Sequence, residues 1–92
     1  MYKIVFTGRM KRDVKLMKKR HKNIELLIDI LDKLSKGITL PERNKDHQLK
    51  GEWKDFRECH IEPDWLLIYR IEEDELILYA TATGSHADLL KM

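Results

Sequence analysis

Cysteine is nearly absent: Cys59 is the single one, so no internal disulfide can form and a reducing compartment is expected. Its alternation with Ile61 in a predicted strand marks it as a small core residue rather than a nucleophile. Proline and glycine are scarce too, at two and four residues, and no linker, repeat or low-complexity segment interrupts the chain. Residues 1–92 are therefore read as a single domain, in which roughly 60–65% of the unfolded chain's surface can be buried. No apolar run is long enough to span a membrane. Met1 leads at once into Tyr2-Lys3-Ile4-Val5-Phe6, unlike a secretory leader, so the expectation is a cytoplasmic protein with no membrane partner.

A large excess of one charge is also missing, since the net charge is +2, but the charges are unevenly placed. Arg9, Lys11, Arg12, Lys15, Lys18, Lys19, Arg20 and Lys22 crowd one stretch in which Asp13 is the only acid. The acids gather late, notably at Glu72 to Glu75. Such a cluster is the electrostatic footprint of a polyanion partner, although a solvated helix face looks the same.

Tyr2 to Phe6 alternates as a first strand, and Thr7 is placed to cap a helix. In that helix Met10, Val14 and Met17 recur at helical spacing, which makes them core filler, with the basic residues around them. His21 falls at its end, where a cation suits the helix dipole, and is read as surface. Ile24, Leu27, Ile28, Leu31 and Leu34 form the stripe of a second helix over Lys22 to Ser35, stopped by Gly37. Thr39 to Asn44 is a connecting loop. Strands then follow: Phe56 to Ile61, with Phe56, Glu58 and His60 on one face and Arg57, Cys59 and Ile61 on the other; Trp65 to Ile71, almost continuously apolar; and Leu76 to Thr83, followed by a short tail. The order is β-α-α-β-β-β-β, an α+β domain with a helical hairpin packed on a small, mainly antiparallel sheet.

Two turns in the middle place the candidate chemistry. Gly51 to Asp55 closes one hairpin and Glu62-Pro63-Asp64-Trp65 a second, with proline where a tight turn wants its fixed φ. Centring the first near Trp53 sets His47 opposite His60 to within a residue, and Asp64 follows at the same end. A third turn at Glu72-Glu73-Asp74 returns the chain so that His86 comes back beside Ile61 and Glu62. His47, His60, Asp64 and His86 thus converge on one sheet edge. Because three strand spacings separate the outer strands of this meander, about 14 Å, the expected result is a cleft rather than a tight triad.

Histidine suits proton transfer near neutral pH, so one reading is acid–base cleavage of RNA through the ribose 2′-OH. A second reading is a zinc site, but separations of thirteen and twenty-six residues between the histidines match no compact zinc signature. A third is purely structural. Convergence of three histidines favours function over that.

Lys45-Asp46-His47-Gln48-Leu49-Lys50-Gly51-Glu52-Trp53-Lys54, then Phe56 to Tyr69, then Thr83-Gly84-Ser85-His86 resemble the YafQ branch of the RelE/ParE toxin superfamily, and the likeness covers nearly the whole chain. The joint pattern Asp-His-x-Leu-x-Gly-x-Trp, His-x-x-x-Asp-Trp and Gly-Ser-His is far more specific than any one part. The resemblance implies a type II toxin that cleaves mRNA in the ribosomal A site without a metal or other cofactor, and that is held in check by a cognate antitoxin. Carried over by position, His47, His60, Asp64 and His86 match the family's catalytic set. Glu58 falls where relatives carry an acid near the site, and Arg57 beside it is expected among the RNA contacts. Lys15, Lys18 and Lys19 are expected to meet ribosomal RNA. Two departures stand out. Leu90 takes the place of the family's C-terminal aromatic, which puts a base-stacking contact in doubt, and Leu66 stands where the RelE branch has an arginine. The rival readings are a non-enzymatic ParE-like binding toxin, an inactive homologue, and a small zinc module. Within the site, Asp64 is expected to hold the His60 ring charged and oriented, and His86 to serve as the acid for the leaving oxygen.

Overall fold

In the computed structural model, which describes residues 1–90, Thr7 ends strand β1 (Lys3–Phe6) and starts helix α1 (Gly8–Lys19). Its Oγ1 accepts from the Met10 N–H at 3.1 Å, satisfying one of the donors that a helix start leaves without an intrahelical partner. Met10 and Met17 are fully buried, with Val14 packed beside them. Asn23 caps α2 (Ile24–Ser35) by accepting from the Glu25 N–H, which starts that helix two residues beyond the expected Lys22. Gly37, at φ 73°, takes the left-handed conformation just after it.

The remaining strands are β2 (His47–Gln48), β3 (Arg57–Glu62), β4 (Trp65–Glu72) and β5 (Ile77–Gly84). They form one sheet in the order β1-β5-β4-β3-β2, parallel between β1 and β5 and antiparallel elsewhere. This is the mainly antiparallel α+β architecture expected. Trp65 to Tyr69 are all buried because β4 is central and covered on both faces. On one face α1 and α2 pack over Cys59, Trp65, Leu67, Tyr69, Leu78 and Ala80. The opposite face carries a smaller cluster, in which Leu66, Ile68, Ala82 and Leu89 meet Leu49 and Phe56.

A register shift between β4 and β5 leaves Thr81 as an extra residue, since Ile68 pairs with Ala82 and Tyr69 with Ala80. The bulge turns Ala80 to the helices and Ala82 to the other face, which strict alternation would not allow. β1 ends opposite Ala80, so β5 loses its strand partner there. Helix α1 and its cap take over: the Thr7 hydroxyl donates to the Thr81 carbonyl at 2.8 Å, and Asp13 Oδ2 accepts from the Thr83 N–H at 3.1 Å. Inside, the Trp65 indole N–H donates to Thr83 Oγ1, whose hydroxyl donates to the Leu66 carbonyl. Among the described residues no buried side-chain nitrogen or oxygen lacks a partner.

Two local expectations are corrected. The last strand begins at Ile77 rather than Leu76, which sits in the turn at φ 54°. The tail also winds into a short helix, α3 (His86–Leu89). Ser85 and Asp88 cap each other's backbone there, a reciprocal pair that makes even a four-residue helix start cleanly. Lys91 and Met92, the end of the expected tail, lie outside the described residues.

Candidate active site

The first hairpin closes through a turn at Gly51–Trp53, with Gly51 at φ 67° and the Leu49 N–H donating to the Phe56 carbonyl. Its centre lies between Glu52 and Trp53 rather than on Trp53, and in an antiparallel ladder that half-residue step shifts every pair by one. His47 therefore stands opposite Glu58, not His60. The His47 Nδ1 lies 2.6 Å from the Lys45 carbonyl, and a carbonyl only accepts, so Nδ1 carries the proton and Nε2 faces outward. That Nε2 is 3.6 Å from Glu58 Oε1. Lys45 holds its carbonyl there from a left-handed conformation, φ 46°. On the helix-covered side the neighbouring Asp46 accepts from the Tyr69 hydroxyl at 2.6 Å and from Arg57 Nε at 3.3 Å, which anchors β2. Burial, reinforced by the Asp46 carboxylate, pushes the Tyr69 phenol well above its usual pKa.

Two residues further along β3, about 7 Å from Glu58 by strand geometry, comes His60. Asn44 is buried beneath this strand and donates its amide to the His60 carbonyl at 2.7 Å. The His60 ring meets His86 edge to face, with 5.6 Å between centroids. The pairing of Leu66 with both His60 and Gly84 explains why: it sets the ends of β3 and β5 level across β4.

Asp64, in the turn between β3 and β4, serves His86 rather than the expected His60. Its Oδ1 accepts from the His86 backbone N–H at 2.9 Å and lies 2.6 Å from His86 Nδ1. The backbone bond first, and the ring second, hold the Asp64 carboxyl below its usual range. An ionised carboxylate only accepts, so Nδ1 carries a proton and Nε2 is the nitrogen turned away from the carboxylate.

Glu58 and His86 are the polar groups of a cleft of about 250 Å³ on the face away from the helices, walled by Leu49, Trp53, Leu66, Ile68, Leu89 and Leu90, while His60 lines a second hollow with Asn44, Lys45 and Pro63. Leu90 is 85% exposed at the edge of the cleft. Leu66 is wall rather than charge, consistent with the missing arginine. Trp53 was not singled out from sequence as a site residue; its place in the turn of the first hairpin was the available signal. Arg57 points the other way, onto the helix-covered face, and is tied to Asp46 and Tyr69. Alternation along β3 dictates that, so Arg57 is removed from the cleft contacts. Lys15, Lys18 and Lys19 are exposed on α1, across the sheet from the cleft. Cys59 is fully buried and burial pushes its thiol up to about 12, which makes it inert. Among the described residues no three His, Cys, Asp or Glu groups are placed to hold one metal ion. No described helix is long and apolar enough to cross a membrane.

The α+β fold, with Glu58 and His86 in an apolar cleft and His47, His60 and Asp64 beside them, agrees with the comparisons. The family model for the bacterial toxin of type II toxin–antitoxin systems, YafQ, matches residues 2–91. The chain is 42% identical over 87 residues to the mRNA interferase toxin YafQ of Escherichia coli, covering 94% of this chain and 92% of that one. It superposes on the E. coli DinJ–YafQ complex structure with a TM-score of 0.86 at 39% identity, covering 97% of this chain and 98% of that one. On a metal-bound toxin from Helicobacter pylori the TM-score is 0.91 at 38% identity, with 97% and 99% covered. The chain belongs to the YafQ family of type II toxins.

Proposed function

We propose that this chain is an mRNA interferase: a ribosome-dependent endoribonuclease that cuts mRNA in the A site through the ribose 2′-OH, using its own side chains and no metal. The observation that carries this reading is the ordered run Asp64–His86–His60 at one end of the cleft with Glu58–His47 beside it. His47 Nε2 takes the 2′-OH proton, and Glu58 offsets the charge that arrives with it. The freed 2′-oxygen attacks the adjacent phosphorus, and the bond to the 5′-oxygen breaks. His86, entering as the imidazolium, gives its Nε2 proton to that departing oxygen while Asp64 keeps Nδ1 in place. His60 is the remaining group near His86 that can hydrogen-bond the phosphate. The products are a 2′,3′-cyclic phosphate and a 5′-hydroxyl, so the proton removed at the start is balanced by the one delivered at the end.

The exposed Lys15, Lys18 and Lys19 bring the basic face of α1 to ribosomal RNA, and the reaction is cytoplasmic. A cognate antitoxin binds the chain and covers the cleft; the relative's structure as a DinJ–YafQ complex supports a protein partner. The test is cleavage of mRNA on programmed ribosomes in EDTA with ribosome integrity controlled. A cyclic phosphate on the upstream fragment is expected, and a 3′-hydroxyl there would overturn the 2′-OH route. Expression of the chain alone should arrest growth, and co-expression of the antitoxin should restore it.

A further inference from the structure

Helix α1 and the cleft lie on opposite faces of the sheet, yet one contact joins them around its end. Arg20, at the C-cap of α1, donates Nη1 to Asp88 Oδ2 at 2.6 Å and Nη2 to Asp88 Oδ1 at 3.2 Å. This two-toothed geometry fixes direction as well as distance. Asp88 Oδ2 also accepts from the Ser85 N–H at 2.8 Å, while the Asp88 N–H donates to Ser85 Oγ at 3.1 Å. Gly84 completes the fit: a Cβ there would lie 2.8 Å from Asp88 Cβ and 2.9 Å from Oδ2, so only glycine lets the carboxylate sit where it does. His86 lies between Ser85 and Asp88, on a helix of four residues whose other anchors are the Asp64 bonds and Leu89. A helix that short has little stability of its own.

We infer that Arg20 is a positioning residue for His86, acting through Asp88 to clamp α3 against the end of α1. This rests on the nuclease reading above only for its effect on rate. Without the clamp, α3 keeps its place on Leu66 and Ile68 through Leu89, but the angle at which it presents His86 to His60 is no longer set. Misplacement of a proton donor by about 1 Å costs on the order of 10²-fold in rate.

The experiment has two arms. In the first, single-turnover cleavage at saturating ribosomes and ribosome affinity are measured for the wild type, Arg20→Ala, Arg20→Lys and Gly84→Ala. The expected result is a rate constant lowered about 10- to 100-fold in Arg20→Ala with affinity nearly unchanged. Arg20→Lys should recover part of the loss, because one ammonium replaces a fork. Gly84→Ala, which displaces Asp88 without touching a charge, should slow cleavage as Arg20→Ala does. In the second arm, amide NMR of the isolated protein reads the backbone order of Ser85 to Leu89, expected to fall in Arg20→Ala and Gly84→Ala while the sheet is unaltered. An unchanged rate in Arg20→Ala would overturn the inference, and so would a loss confined to affinity. If the wild type does not cleave at all, the nuclease reading fails alone and the NMR arm decides: unaltered order in α3 overturns the clamp, and loosened α3 sustains it.

Discussion

Asp64 holds His86 twice, by its backbone N–H at 2.9 Å and by its ring Nδ1 at 2.6 Å. One carboxylate oxygen thus fixes both the start of α3 and the tautomer of the histidine on it. The two functions separate by mutation. His86→Ala removes the proton donor and should slow single-turnover cleavage on the order of 10²–10⁴-fold with ribosome binding intact. Asp64→Asn retains an oxygen that accepts from the N–H but removes the negative charge facing the imidazolium, so a smaller loss is expected. Equal losses in the two variants would show that the carboxylate is required for more than holding the ring.

The basic face of α1 makes a prediction about binding rather than chemistry. Lys15, Lys18 and Lys19 are exposed and lie across the sheet from the cleft, so replacing all three by glutamate should weaken ribosome affinity. The slope of log affinity against log salt should flatten as phosphate contacts are lost. Affinity measured from low to high salt checks this, and an unchanged slope would remove the helix from the RNA interface.

Several elements were legible because their signals are local. Thr7 sits where a cap must be, Gly37 and Gly51 have the positive φ that their turns demand, and Pro63 belongs to the tight turn between β3 and β4. Alternation along β3 put Glu58 and His60 on one face and Arg57 on the other, and the structure agrees. What failed was register. Nothing local to Gly51–Asp55 says that the turn tightens into a 3₁₀ helix, and a small displacement of its centre sets His47 opposite Glu58 and not His60. Proximity in sequence pairs Asp64 with His60, and the Ser85–Asp88 capping pair that starts α3 at His86 joins two residues of ordinary type that give no warning of the exchange. The Arg20–Asp88 clamp spans 68 positions and leaves no trace in either neighbourhood. The bulge at Thr81 is equally silent, since its effect appears only in which alanine faces which layer.

Acid should loosen the end of the molecule that carries α3. The Arg20 guanidinium first, and the Ser85 N–H second, hold the Asp88 carboxyl well below its usual value. A group whose folded pKa is depressed stabilises the fold fully above its unfolded value, about 3.9 for aspartate, and loses that contribution as pH falls through the folded value. Melting temperature against pH for the wild type and Asp88→Asn checks the sign. The wild type should be the more stable near pH 6, and the gap should close as pH drops below about 4. A gap that widened in acid would contradict the assignment of Asp88 as an ionised partner of Arg20.

Leu90 gives the prediction with the opposite direction, a gain. It stands 85% exposed on the rim of the cleft, one residue beyond α3, with its N–H donating to the His86 carbonyl at 3.0 Å. A leucine there offers apolar contact but no flat face, and the neighbouring aromatic on the wall, Trp53, is already engaged edge-on with Phe56 at 5.1 Å. Phenylalanine in place of Leu90 adds a ring at a site with room for one, and stacking of a base on an aromatic is worth about 1–3 kcal/mol. At the lower half of that range the substrate should bind on the order of tenfold more tightly. The gain should appear in KM, because a base stacked equally in the ground and transition states changes binding without changing the chemical step. Single-turnover cleavage by Leu90→Phe across a range of ribosome concentrations is the measurement. The half-saturating concentration should fall while the maximal rate constant stays near wild type. No change in either would mean that no base passes Leu90, and a rise in the rate constant alone would mean that the ring acts on His86 rather than on RNA.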